Sequence, residues 1–547
     1  FFIRALTTTA YEVEGDDPTL PVGDTLNVDM TGVIGCATVM HGFPNTTVTF
    51  QSGRLPITYR EIETFVSTAG CTNDVFDLNN YPIANGDAFD VFLTDTNTIQ
   101  VQLDGVPVFT GPDDPVNSLT FAGRAGLPDA VRVHGLAGTG ELPSEAGALD
   151  GLTTFTPGPV TYPLPRVSPT GIDNGVTAIR KAVSSSFTAT TPARSVPNGT
   201  SPPAFYYDGR GGGDSFVVDF PTARDVAYFT DSTYTGAGDV SVQALGGQIG
   251  FVATFRNLGT VNLKEQTAAG SSLLIDASST AGTANLTITN ITDPVPADPY
   301  SATDPVNLPG ANSIVGDGGF TTNRFGNFQT VTVLGGGGAE TIDLVSIDSL
   351  GLATVTLDGD NTVGNDASND TVRIQSLPAT AAATMLGGAG DDAFIVSTGI
   401  LPLLTTTAVT DNILGQITVN GEASGTTGSR DTLTISDRDS SSTTAGANIL
   451  VTETAVSRIT GRDSTNDVQF SNIETLNVFT SNVADNIVVD MDNVVAGVIT
   501  ATVNSSGGDD QFELTGVLNL ARLDLQGAAG NDTFGANAGL PAHKIVP

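Results

Sequence analysis

The chain has no tryptophan, three histidines, three lysines and two cysteines among its 547 residues. Nowhere do 18 or more apolar residues follow one another, so no segment reads as a membrane span. Bases are scarce: 21 Lys and Arg face 59 Asp and Glu, for a net charge of −38. Nucleic acid needs a basic surface, so it is not an expected partner. Only 15% of residues are charged, so the acidity comes from missing bases rather than from an acidic tail. Such a balance suits cation binding, saline surroundings or simple solubility through mutual repulsion.

Catalytic signatures are missing too. HExxH, GxSxG and P-loop patterns do not occur, and His41, His134 and His543 read as surface or turn residues. Paired carboxylates such as Asp391/Asp392 and Asp509/Asp510 are adjacent, and a strand would point them to opposite faces. That is poor geometry for acid–base work. Arg373, Arg430 and Arg458 lie in or beside strand-like segments, where they balance acidic neighbours on a solvated face. A groove lined by these arginines, as in a glycan-active β-helix enzyme, is the third-ranked reading. The expectation is a protein that is not an enzyme.

Cys36 and Cys71 stand 35 positions apart, and no CxxC spacing exists. The Thr/Gly/Asn-rich, Lys-poor composition reads as extracellular, where disulfides persist, so a Cys36–Cys71 bridge is expected. The opening FFIRALTTTAYEVEGDD lacks a basic region followed by an apolar one, so the numbering is expected to start at a processed end. The last repeat is followed closely by the final residue, as in a fragment of something longer.

Hydrophobic residues make up 39% and aromatics 6%, which predicts a core of Val, Leu, Ile and Ala. Apolar residues alternate with Thr, Asn, Asp and Arg over five to seven positions, the period of half-buried strands. Short helices are expected only at 177–187 and, more weakly, at 378–386. The stretch 98–111 (TIQVQLDGVPVFTG) reads as a hairpin turning at Asp104-Gly105. Four segments follow: a small disulfide-closed β domain at 1–94; a hairpin, early degenerate repeats and Pro/Gly-rich loops at 95–200; a first block of repeats at 201–312; and repeats with Gly/Asp loops at 313–547.

One module recurs: a short strand, a Gly-rich loop, then Asp or Glu just before a second strand. The acid falls at 340, 370, 392, 431, 485, 510 and 532, with steps of 30, 22, 39, 54, 25 and 22. The two longest steps leave room for a degenerate coil, for example at 447–459. A second motif, F-x-N-apolar-x-T-apolar-polar-apolar, occurs at 255–263, 325–333 and 470–478 and marks one shared structural role. A lone coil cannot bury both faces, so coils must stack. The expected fold is all-β: a parallel β-solenoid of β-helix or β-roll type, with the small N-terminal β domain. A string of β-sandwich domains is the alternative.

The loops GGAGDDAFI (387–395), GRGGGDSFV (209–217), GAAGNDTFG (527–535) and SSGGDDQFE (505–513) resemble the nonapeptide of RTX, or haemolysin-type, calcium-binding repeats, G-G-x-G-x-D-x-apolar-x. Gly387–Ile395 fits fully, the other three depart at one or two glycines, and GGGGAETID (335–343) carries Glu340 for Asp. The resemblance covers about 50 residues of loop. It implies a parallel β-roll with Ca²⁺ between stacked turns, held by Asp carboxylates and loop carbonyls. Implied ligands are Asp214, Asp392, Asp510 and Asp532, the loop backbone of Gly387, Gly388 and Gly390, and Glu340 more weakly. The family runs its nonapeptides in tandem, whereas here they stand 20 or more residues apart, so ions require loops stacked at one corner. Equally open is a metal-free role, with Asp capping the turn and Gly supplying positive φ.

The sequence thus points to a secreted structural protein of an S-layer, sheath or extracellular filament, a homo-oligomer or polymer built by end-to-end or lateral contacts. The alternative is an adhesin whose partner is a cell-surface glycan.

Overall fold

In the computed structural model the described residues are 1–15, 24–51, 53–62, 64–82, 87–95, 98–112, 116–135, 162–168, 171–178, 204–220, 222–230, 236–244, 249–265, 270–277, 285–291, 311–317, 320–359, 368–398, 410, 412–421, 430–439, 448–457, 467–491, 498–517 and 520–536. Among them the fold is all-β; the helical element is one 3₁₀ turn, Leu78–Asn80. The chain forms two compact units: Phe1–Leu273 with Asp293–Pro309 and Gly319–Phe328, and Leu274–Thr292 with Gly310–Gly318 and Gln329–Pro547.

The second unit shows the construction most simply. Its strands alternate between two ladders. Ladder one stacks Thr330–Leu334, Thr354–Asp358, Ala382–Leu386, Gln416–Asn420 and Val468–Ser471, each parallel to the next. Ladder two stacks Leu286–Asn290, Thr341–Leu344, Thr371–Ile374, Ala393–Val396, Thr432–Ser436, Thr475–Phe479, Thr500–Asn504 and Arg522–Gln526, again all parallel. Register is strict, so period-2 alternation turns into columns. Val331, Val355, Ala383 and Ile417 align on one ladder, and Ile342, Val372, Phe394, Leu433 and Leu476 on the other, all buried. Slipping one strand by one residue would turn its whole apolar set outward.

The first unit has the same plan. Thr72–Asp77, Val116–Ala122, Ala204–Asp208 and Ile249–Arg256 form one parallel ladder. Ala88–Asp95, Ala130–His134, Ser215–Phe220, Thr260–Glu265 and Thr322–Gly326 form the other. A separate parallel sheet holds Phe2–Arg4, Thr25–Asp29 and Thr64–Thr68. The Cys36–Cys71 disulfide is present, at the entries of the paired strands Ala37–His41 and Thr72–Asp77. Thr98–Leu103 and Val106–Pro112 form the expected hairpin, with Asp104 (φ +49°) and Gly105 (φ +79°) supplying the turn.

Several expectations need correction. The boundary at 94 falls inside strand Ala88–Asp95, which pairs directly with the first repeat strand Ala130–His134. The boundary at 312 likewise cuts strand Ala311–Gly316. The helix at 378–386 is strand Ala382–Leu386: Ala381, Ala383 and Met385 alternate inward, and a ladder slot overrides alanine's helix preference. The helix at 177–187 starts in strand Gly171–Ala178 and otherwise lies outside the described residues. The degenerate coil near 447–459 is a hairpin within ladder one: Ala455–Ser457 is antiparallel to both its neighbours, while Asn448–Thr452 resumes the parallel stacking with Asn486–Met491. Finally, the first unit's core adds many rings to the expected Val, Leu, Ile and Ala. The largest fully buried side chains are Tyr207, Tyr228, Phe76, Phe89, Phe121, Phe205, Phe216, Phe255, Phe325 and Phe328. Phe76, Phe121 and Phe205 stack at 5.1 Å centroid spacing.

Candidate functional site

Where the chain passes from one ladder to the other it makes a short corner. The first corner residue is often glycine because a carboxylate occupies the space of its side chain. A methyl on Gly209 would lie 2.7 Å from Oδ2 of Asp214, and one on Gly359 2.8 Å from Oδ2 of Asp370. Gly387, Gly421 and Gly527 would overlap Asp392, Asp431 and Asp532 in the same way. The next residue takes positive φ: Arg210 (+59°), Gly388 (+87°), Ser506 (+62°) and Ala528 (+55°). The F-x-N motif has the same explanation, since Asn257, Asn327 and Asn472 have φ of +58°, +64° and +56°, a conformation asparagine tolerates best among side-chain-bearing residues.

The acids at the corners form columns. In the second unit the Glu340 N–H donates to Oδ1 of Asp370 (2.9 Å), Asp370 N–H to Asp392 (2.8 Å), Asp392 N–H to Asp431 (2.8 Å) and Asp431 N–H to Oε2 of Glu474 (2.8 Å). A second column sits at the other corner: Asp485 N–H to Asp510 (2.7 Å) and Asp510 N–H to Asp532 (3.1 Å). The first unit repeats the device from Asp87 to Asp129 (3.1 Å) and from Asp129 to Asp214 (2.8 Å). Each acid's own carbonyl meanwhile continues the ladder, as in Thr371 N–H to Glu340 (2.8 Å) and Ala393 N–H to Asp370 (2.8 Å). The carboxylate thus gives the corner N–H the acceptor that the ladder does not. A charged acceptor of this kind contributes about 1.5–3 kcal/mol.

The implied calcium ligands fall into three groups. Glu340 and Asp392 share one column, and Gly387, Gly388 and Gly390 form the corner beside Asp392. Asp510 and Asp532 share another, and Asp214 ends the column of the first unit. Asp370, Asp431, Asp485 and Glu474 occupy column positions although their loops lack the nonapeptide pattern. Asp392 is buried while its neighbour Asp391 is exposed, as alternation requires.

Burial and stacked like charges hold these carboxyls above their ordinary range. Asp214 and Asp431 are pushed up to about 7, first by burial and then by Asp129 and Asp208 or by Asp392 and Glu474, against the pull of backbone N–H bonds. Burial, with Asp510 adding repulsion, raises Asp485 to about 6, and Asp370 rises through burial, Glu340 and Asp392. For a hard cation, Oδ2 of Asp214 and of Asp510 is buried and accepts no hydrogen bond, whereas Oδ2 of Asp485 is taken by the Ser481 hydroxyl (3.1 Å). Among the described residues no three of His, Cys, Asp and Glu converge closely enough to hold a metal by side chains alone, so loop carbonyls would have to complete the shell.

Two histidines differ from expectation. His41 is buried, not a turn residue: Nε2 lies 2.8 Å from Oδ1 of Asp74, Thr72 donates to Oδ2 (2.7 Å), and the ring stacks on Phe76 at 4.2 Å. The signal was present in Ala37, Val39 and His41, which share one strand face. His134 sits partly buried in its strand, 3.0 Å from Asp90 and 3.7 Å from Asp219. Burial alone would depress it, but the two carboxylates outweigh burial and lift it to about 9. His543 and Arg458 lie outside the described residues. Arg373 is forked onto Asp343 of the adjacent rung, as a charge-balancing residue should be.

The described residues of the first unit also enclose a groove of about 550 Å³, lined by Phe43, Tyr59, Tyr81, Phe109, Glu61 and Asp104 among others. No helix of the described residues is long and apolar enough to cross a membrane. Neither a protein-family model nor a curated protein matches the chain.

Proposed function

We propose that the chain is a secreted structural protein of the cell surface, a non-catalytic β-solenoid module of an S-layer, sheath or extracellular filament. What supports this most is the in-register parallel stacking of rungs, each clipped to the next by a corner carboxylate. Such a stack has no natural stopping point, and its outermost strands offer unpaired backbone. Among the described residues Phe2–Arg4 and Arg522–Gln526 each pair on one side. End-to-end association of copies through such edges is the assembly route this reading favours. Negative-stain microscopy of the purified chain across a concentration series tests it. Filaments or sheets are expected; a monodisperse monomer at all concentrations refutes assembly by this chain alone.

Calcium between stacked corners is part of the proposal in the second unit, on the strength of the open, buried Oδ2 of Asp510. Asp392 in one column, and Asp510 with Asp532 in the other, would each hold an ion together with carbonyls of their own corners, and those ions would supply the positive charge that a stack of carboxylates lacks. Chelation is expected to lower the melting temperature, and calcium to restore it.

A glycan-binding adhesin is the second reading, favoured by the groove. Its aromatic walls suit the C–H faces of a sugar, and Glu61 and Asp104 suit its hydroxyls. Glycan-array binding lost on Phe43→Ala would select this reading over pure assembly.

A further inference from the structure

We propose that Arg124 is the built-in counter-charge of the first unit's corner column, doing there what a bound cation does between stacked acidic loops. The claim rests on the reading that corner columns accommodate positive charge, and it concerns a column that carries its own.

The corner Gly123-Arg124-Ala125-Gly126 has arginine where Gly387-Gly388-Ala389-Gly390 has Gly388. The equivalent residues in the loops at 505–510 and 527–532 are Ser506 and Ala528, both neutral. Arg124 is folded into the column rather than out to solvent, its side chain 11% exposed. Its Nη2 lies 2.5 Å from Oδ2 of Asp87 and 3.0 Å from Oδ1 of Asp129, so one guanidinium nitrogen bridges two successive column acids. Its backbone N–H donates to Oδ2 of Asp129 at 2.5 Å. Both carboxylates are buried, at 3% and 1% exposure, where a bare pair of like charges would be costly.

A bridging cation is recognised by this pattern: oxygens from consecutive rungs converging on one positive centre. Arg210, at the matching position one rung on, does something else. Its guanidinium reaches Asp77 through two bonds of 3.0 and 2.7 Å and leaves the column. The column continues to Asp214, whose Oδ2 is buried without a hydrogen-bond partner, so the site ends on an oxygen still open to charge.

The test is hydrogen exchange by mass spectrometry on the full chain, in chelator and in millimolar calcium, for wild type, Arg124→Gln and Arg124→Lys. In wild type, peptides across 118–134 are expected to exchange identically in both buffers. Arg124→Gln should speed their exchange at least tenfold in chelator, and calcium should reverse most of that loss. Arg124→Lys, which keeps the charge but not the fork, should fall between the two and ignore calcium. Terbium offers a second readout: Tyr207, close enough to Asp214 and Asp129 to feel their charge, should sensitise its emission in Arg124→Gln more than in wild type. Unchanged exchange in Arg124→Gln would overturn the counter-charge role. Faster exchange that calcium does not reverse would reduce Arg124 to an ordinary salt bridge and equally overturn the proposal. The broader calcium reading fails on a different result, namely calcium-insensitive exchange of wild-type peptides across 385–396 and 503–515.

Discussion

Replacing Gly387 by alanine adds one methyl group, and the corner geometry says that this methyl has nowhere to go. It would overlap Oδ2 of Asp392 and approach Cζ of Phe394 to 2.9 Å. Gly387 does not have positive φ, so the substitution carries no intrinsic backbone strain to confuse the reading. Either the corner spreads, at about 1–3 kcal/mol for overpacking, or Asp392 swings aside. If Asp392 moves, the buried Asp370 N–H loses its 2.8 Å acceptor, at about 1.5–3 kcal/mol. Either way a local destabilisation of about 1.5–3 kcal/mol is expected. Since 1.4 kcal/mol is a factor of ten, hydrogen exchange across 368–374 should accelerate by roughly one to two decades. The control is Gly535→Ala, where the nearest atom to a new methyl is the Phe512 carbonyl at 3.7 Å, and little change is expected. An acceleration below tenfold at 368–374 would refute the claim that glycine is there to seat the carboxylate.

Reducing the disulfide, or making Cys36→Ser with Cys71→Ser, frees a loop closed across 35 residues. Loop-closure entropy puts the loss at roughly 3–4 kcal/mol. Proteolysis of 25–77 should become faster while that of 330–534 stays unchanged. Asn472→Ala should cost about 1 kcal/mol because alanine is poor at φ +56°, and Asn472→Gly should cost less; equal losses would show that the Asn472 bond to Asn420 (2.8 Å), not the dihedral, matters. His134 is lifted to about 9, above its unfolded value near 6.5. Its contribution is therefore complete below about 6.5 and lost as pH rises through about 9. Melting of wild type relative to His134→Gln should converge between those limits; a constant difference from pH 6 to 10 would contradict the pairing with Asp90 and Asp219.

The strands, their inward faces and the corner residues were legible because each follows from a local rule. Ile342 and Leu344 alternate, Gly387 precedes Asp392 by five, and Asn257, Asn327 and Asn472 sit at one dihedral. What was not legible is which ladder a strand joins. From 330 to 436 the acid corner leads from ladder one to ladder two; from 475 onward it leads back. The same Gly–Asp chemistry serves both corners, so the motif carries no label for side, and one apparent column in the sequence is two in space. The excursion at 448–457 falls between these two phases. It alternates like any other strand pair, and nothing local says that Val451 and Val456 are antiparallel partners. Composition misled in a similar way. Six per cent aromatics is an average: rings concentrate in the first unit beside its aliphatic residues, while the second unit's columns are mostly aliphatic, with Phe394 and Phe512 among them.

The resemblance to calcium-binding nonapeptides also acquires a physical meaning from the columns. A parallel stack turns its corner through residues whose N–H groups have left the ladder, and a buried N–H left without an acceptor costs about 1–3 kcal/mol per rung. Aspartate at the last corner position supplies that acceptor, as from Asp370 to Asp392. Its second oxygen then needs room, which glycine provides at the first position, as Gly387 does. Glycine, a left-handed residue and aspartate at fixed offsets are therefore what corner stacking itself demands, with or without an ion. Neutralisation is the separate problem that stacking creates, because each added rung brings another buried carboxylate next to the last. Protons, a guanidinium and a divalent cation are three solutions to it. The first unit uses the second of these at Arg124, so on the proposed reading the source of positive charge beside the acids, not the spelling of the loop, would decide whether a corner takes calcium.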